Sequence, residues 1–181
     1  MIYYKYDFIK YCAYSSGDGV VDMKMLTVSL FGHRQMDDLW GMEERLYPIL
    51  KNLIGATEYI NFLIGRHGEF DEHVASVIKR VQKEVGRENS SLTLVLPYAV
   101  ADLEYYEKYY DDIVIPDEVH GAHPKSAITL RNRWMIEQSD LVIVYVARNR
   151  GGAFAAMNYA KKMNKGIINL FARETASPLE N

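Results

Sequence analysis

Three short segments carry residue types that bind anions, at spacings a tight turn can use. In Gly32-His33-Arg34 the glycine permits a sharp bend, and the planar guanidinium of Arg34 can pair with a phosphate or carboxylate through its fork of donors. Gly65-Arg66-His67-Gly68-Glu69-Phe70-Asp71 runs from an apolar stretch into a helical one, as a dinucleotide-binding turn does, although its glycine spacing is GxxG and not GxGxxG. Glu69 and Asp71 at a helix start compete with a phosphate for the same backbone N–H groups and positive dipole end, which directs this turn toward ribose hydroxyls or a base. In Arg148-Asn149-Arg150-Gly151-Gly152-Ala153 two glycines let a ligand approach the backbone closely and two arginines flank that approach, so this turn is the expected phosphate cradle. Each segment also has an ordinary reading: solvent-facing turn residues, and for Asp71 a helix N-cap.

A fourth group, Arg131-Asn132-Arg133-Trp134, precedes an apolar run. Residues two apart on a helix point in different directions, so one of Arg131 and Arg133 is expected to reach a ligand and the other to face water. His120 and His123 lack a third ligand at useful spacing, so no metal site is expected. The absence of GxSxG removes the nucleophile-elbow hydrolases. Tyr105, Tyr106, Tyr109 and Tyr110 are spaced to share a helical face, for packing or for stacking on a partner or ligand base.

The elements that must position these groups are read from apolar periodicity. Strands are expected over Met25 to Phe31, Glu58 to Ile64, Leu92 to Leu96, Leu141 to Val146 and Gly166 to Leu170, apolar nearly throughout as parallel strands buried on both faces are. Helical period marks Met42 to Leu53, Phe70 to Val85, Leu103 to Tyr110, Leu130 to Gln138 and Ala153 to Met163. Alternating strand and helix selects an α/β, Rossmann-like, doubly wound and mainly parallel sheet with helices on both faces. Its ligand crevice lies beyond the carboxyl ends of the strands, where all three glycine turns fall.

With 181 residues the chain is expected to form a single domain over residues 23–181, preceded by an extension over residues 1–22 whose role is open and which does not resemble a targeting peptide. A net charge of -3 with acids and bases interspersed gives no extended basic stripe, so neither nucleic acid nor a membrane is an expected partner. Any anion site must be local. No run of apolar residues is long enough for a membrane span, and the single cysteine, Cys12, suits a reducing cytoplasm.

Taken together, GHR after the first strand, GRHGEFD after the second and LRNRWMIEQSDLVIVYVARNRGGAFAAMNYAKKMNKGIINL near the end resemble the SLOG superfamily, most closely its YpsA-like bacterial branch of uncharacterised proteins. The resemblance runs from Leu26 to Phe171 and extends to the Lonely Guy phosphoribohydrolases and the DprA Rossmann domain. It implies a Rossmann-like fold that binds nucleotides or nucleotide-derived ligands, commonly as a dimer. In the Lonely Guy enzymes an arginine before the penultimate strand and a glutamate after a PGGxGTxxE turn serve N-glycosidic cleavage. The resemblance carries the arginine to Arg131 and the glycine pair to Gly151 and Gly152, but the glutamate position holds Asn158, and the proline and GT pair are absent. An amide lacks the charge that stabilises an oxocarbenium-like transition state.

The leading expectation is therefore a binding protein for a nucleotide-derived small molecule, with no particular cofactor implied. The alternative is an N-glycoside-cleaving enzyme, a phosphoribohydrolase or deoxyribosyltransferase-like catalyst, in which Arg131 fixes the phosphate and Glu69 or Asp71 acts on the sugar. A DNA-processing or interaction role ranks below both.

Overall fold

The computed structural model describes residues 25–86 and 88–171. The expected extension over residues 1–22, with Cys12, lies outside the described residues. Six strands form one sheet: β1 (Met25–Phe31), β2 (Tyr59–Ile64), β3 (Ser90–Val95), β4 (Asp112–Val114), β5 (Leu141–Val144) and β6 (Gly166–Asn169). Every pairing is parallel and the order is β4-β3-β2-β1-β5-β6. The chain winds outward from β1 to β4, returns to lay β5 beside β1 and then winds the other way. That reversal opens a crevice between the carboxyl ends of β1 and β5.

Alternation along each strand sends successive side chains to opposite faces, and both faces are covered. Val28 and Leu30 of β1, Ile60, Phe62 and Ile64 of β2, and Leu141 and Ile143 of β5 pack under α1 (Leu39–Ala56) and α2 (Glu69–Val85). Phe31, Leu63, Val95, Val142 and Val144 meet α4 (Pro124–Gln138) and α5 (Gly152–Lys162) on the other face. A fully buried Leu, Ile or Phe contributes roughly 1.5–3 kcal/mol, whereas an exposed ion pair gives about 0–1. The apolar faces, and not pairs such as Arg45–Asp38 at 3.2 Å, hold the helices to the sheet.

The expected strands and helices are present, with differences at their ends that have local causes. The first helix begins three residues before Met42, because Asp38 Oδ1 accepts from the Gly41 N–H at 2.8 Å and caps it. α4 begins six residues before Leu130. Pro124 fits the first helical turn without needing a donor, and His123 Nδ1 accepts from Lys125 N at 3.3 Å. The helix expected over Leu103 to Tyr110 is the single turn α3 (Leu103–Glu107). β4 is a three-residue edge strand, too short to announce itself by alternation. Among the described residues no helix is long and apolar enough to cross a membrane.

Candidate functional site

A cleft of about 750 Å³ lies at the carboxyl ends of β1, β2 and β5. Ten of the residues singled out from the sequence line it: Gly32, His33 and Arg34 after β1, Gly65 and Asp71 after β2, Arg131 from α4, and Arg148, Arg150, Gly151 and Gly152 after β5. The lining thus holds four arginines and one carboxylate. On a chain of net charge -3 this is a concentrated positive site.

The floor is built around Gly65. A Cβ there would clash with Nη1 of Arg131 and lie 2.7 Å from Oδ2 of Asp71, so only glycine lets these two side chains close over the β2–α2 turn. Arg131 is 4% exposed, and its Nη1 donates to the Val95 carbonyl at 3.0 Å. Its Nε, although buried, has no partner among the described residues. Burial lowers its pKa, opposed by the neighbouring Asp71 carboxylate and by Tyr98. Asp71 Oδ2 accepts from His67 N at 2.9 Å. Burial raises the Asp71 pKa, against that hydrogen bond and the field of Arg131. Desolvation penalises both charges, and each is tolerated because the other is close.

His67 lines the same floor. Burial, then the charges of Arg131, Arg66 and Arg34, depress its pKa to about 4, and its buried Nδ1 has no hydrogen-bond partner among the described residues. It is a neutral imidazole at ordinary pH. Burial and then Arg148 lower the His33 pKa against the opposing charge of Asp37, and its Nε2 accepts from Ala147 N at 3.1 Å, which ties the β1 turn to the end of β5. The positive charge of the cleft therefore comes from its arginines.

Those arginines differ in their freedom. Arg148 pairs with Asp37 at 2.6 Å. Arg34 and Arg150 are exposed and have no carboxylate partner among the described residues. Two helices also begin at the cleft. α2 carries Glu69, Asp71 and Glu72 in its first turn, whereas α5 carries no acid there and follows Gly151 at φ +91°, with open space where a Cβ would stand on either glycine. Only the α5 end offers unopposed backbone donors to an anion.

Four expected site residues fall outside the lining. Glu69 accepts from Met36 N at 2.8 Å, and its own N–H donates to Arg34 O at 2.9 Å, so it shapes the β1 turn. Gly68, at φ +134°, lets that turn approach; a Cβ would lie 2.6 Å from Arg34 Cα. Arg66 turns away to the Tyr106 hydroxyl, with its guanidinium 5.2 Å from that ring. Arg133 is exposed over the Tyr159 ring at 5.3 Å while Arg131 points inward, as their helical spacing requires. Asn158 is exposed on α5 and does not line the cleft. Conversely His67, Gln35, Asn132 and Ile128 line it without having been singled out as ligand-facing. The signal for His67 was its place inside the GRHG turn, and the other three carry none.

No family model and no curated protein matches the chain. Among solved structures it is similar to DNA processing protein A (DprA) from Streptococcus pneumoniae, with 14% identity and a TM-score of 0.61 over 87% of this chain and 54% of that one. It is likewise similar to DprA from Helicobacter pylori, with 16% identity and a TM-score of 0.57 over 83% of this chain and 67% of that one. The chain has the Rossmann-like fold of DprA. It spans about half the length of the S. pneumoniae DprA chain. The H. pylori structure was described for its mode of binding single-stranded DNA.

Proposed function

We propose that this protein, a SLOG-type relative in the YpsA-like branch, is a receptor for a nucleotide or nucleotide-derived small molecule. The observation that carries the reading is the asymmetry of the cleft. Arg148, Arg150 and the acid-free start of α5 lie at the β5 end, whereas at the β2 end Asp71 and the acidic start of α2 offset Arg131 and Arg34 beside His67. A phosphate is favoured at the first end by charge-assisted and backbone hydrogen bonds. Ribose hydroxyls, which donate as well as accept, suit the carboxylate end.

The test is calorimetric titration with nucleoside monophosphates, NAD, ADP-ribose, cyclic nucleotides and a single-stranded oligonucleotide, each mixture then examined by chromatography for free base. Saturable binding of a small nucleotide without base release supports the receptor. Binding of the oligonucleotide alone would assign the cleft to a strand instead, the activity described for the H. pylori DprA. The homodimer and cytoplasmic location that the resemblance and composition imply belong to the same reading, and sedimentation velocity tests the first.

A second reading, N-glycosidic cleavage, is favoured by Asp71 alone. Its carboxyl lines the cleft beside Arg131 with a raised pKa, suited to protonating a departing base while water adds to the sugar carbon. Asp71→Asn is expected to abolish any base release. Glu69→Gln is expected to spare it, because the Glu69 carboxylate is turned to Met36 N.

A further inference from the structure

Beyond the lining residues, on the β3 side, the chain leaves the sheet through Leu96 and Pro97 to Tyr98. The Tyr98 ring is 39% exposed and stands edge-on to His67, with ring centres 6.4 Å apart and planes at 71°. Its hydroxyl has no hydrogen-bond partner among the described residues. We propose that Tyr98 is the stacking platform for the ligand's base, so that the cleft takes a nucleoside monophosphate-type ligand laid across the strand ends with its phosphate at the β5–α5 turn. This rests on the nucleotide reading above and adds the base to it.

Three observations set that direction. The first is span: β3, β2, β1 and β5 are consecutive neighbours, so Tyr98 and the β5–α5 turn are three strand spacings apart, roughly 14 Å. That matches the reach of one nucleotide from phosphate to base. The second is charge. On the Tyr98 side Asp102, Glu104 and Glu107 are exposed on and beside α3 together with Lys108, Arg66 is taken by Tyr106, and Arg131, whose charge Tyr98 feels, is buried on the Val95 carbonyl beside Asp71. Acids outnumber the free cations on this exposed segment, which favours an uncharged base there over a phosphate. The third is chemistry: an exposed phenol ring beside a neutral imidazole offers a π-face and a polar edge together, the pairing that recognises bases whatever their sequence.

The experiment compares ribose 5-phosphate with AMP and UMP by titration calorimetry on wild type, Tyr98→Ala and Tyr98→Phe. In the wild type at least one of AMP and UMP is expected to bind about tenfold or more tightly than ribose 5-phosphate. Tyr98→Ala should remove that margin while leaving ribose 5-phosphate affinity unchanged, and Tyr98→Phe should keep it. Equal affinities for all three probes in the wild type, or an equal loss for all three in Tyr98→Ala, would overturn the platform while leaving the phosphate end intact. If no probe binds the wild type, the nucleotide reading fails and the platform with it.

Discussion

Arg131 and Arg150 face the same cleft from opposite extremes of burial, and their substitutions should separate folding from binding. Arg150 is exposed with no carboxylate partner among the described residues, so Arg150→Ala is expected to change unfolding stability by less than about 0.5 kcal/mol. If it holds a phosphate, nucleotide affinity should fall roughly tenfold, the loss of one charge-assisted hydrogen bond. Arg131→Ala strips the Val95 carbonyl of its donor and Asp71 of its cation in a buried setting, which should cost about 2–4 kcal/mol in urea unfolding. His67 gives a pH test. Its folded pKa of about 4 lies below the ordinary 6.5, so its contribution to stability is full above that value and is lost as pH falls toward 4. Its ring resonances should stay those of the neutral imidazole through the neutral range and move only near the lower value. Asp71 works in the opposite sense, because its pKa is raised. Its contribution is present below the usual carboxylate range and is lost as pH rises through its folded value, a dependence that Asp71→Asn should flatten in a denaturation series.

Among the elements, the start of α5 is where backbone conformation and ligand access can be told apart. Gly151 holds φ +91°, a region closed to side chains, so Gly151→Ala should destabilise by about 1–3 kcal/mol. Gly152 has open space around it and no such φ, so Gly152→Ala should melt like wild type while its methyl group obstructs an approaching phosphate. Thermal melts paired with nucleotide titration check both. The same element shows what a sequence can disclose. The GG pair after an apolar strand marked a turn that lines the cleft, and the helical spacing of Arg131 and Arg133 foretold that one would point inward. The acids at the start of α2 were legible as competitors for a phosphate, but not that Asp71 would close over Gly65 while Glu69 turned to Met36. Those fates depend on which neighbour a side chain finds across the fold, and neighbours far apart in sequence leave no local trace. Gly32 is similar: its lack of a Cβ makes room for the Phe70 ring, a contact no turn motif contains.

For the whole molecule, the parallel doubly wound sheet was legible because five strands are apolar on both faces, a pattern half-exposed sheets do not show. The short edge strand β4 was not, since three residues carry no periodicity. The acidic balance weighs against nucleic acid as a partner, yet four arginines share one cleft with a single carboxylate, and net charge conceals such local segregation. Because Arg34 and Arg150 are exposed, ligand affinity should weaken as salt rises from low ionic strength to about 0.15 M, where screening acts over roughly 8 Å. The most direct test of the account is calorimetric titration of wild type and Arg150→Ala with AMP and UMP at low salt. Saturable binding that drops about tenfold in a variant of unchanged melting temperature is the predicted result. Absence of binding in the wild type, or equal binding in both, would contradict a phosphate held at the β5–α5 turn.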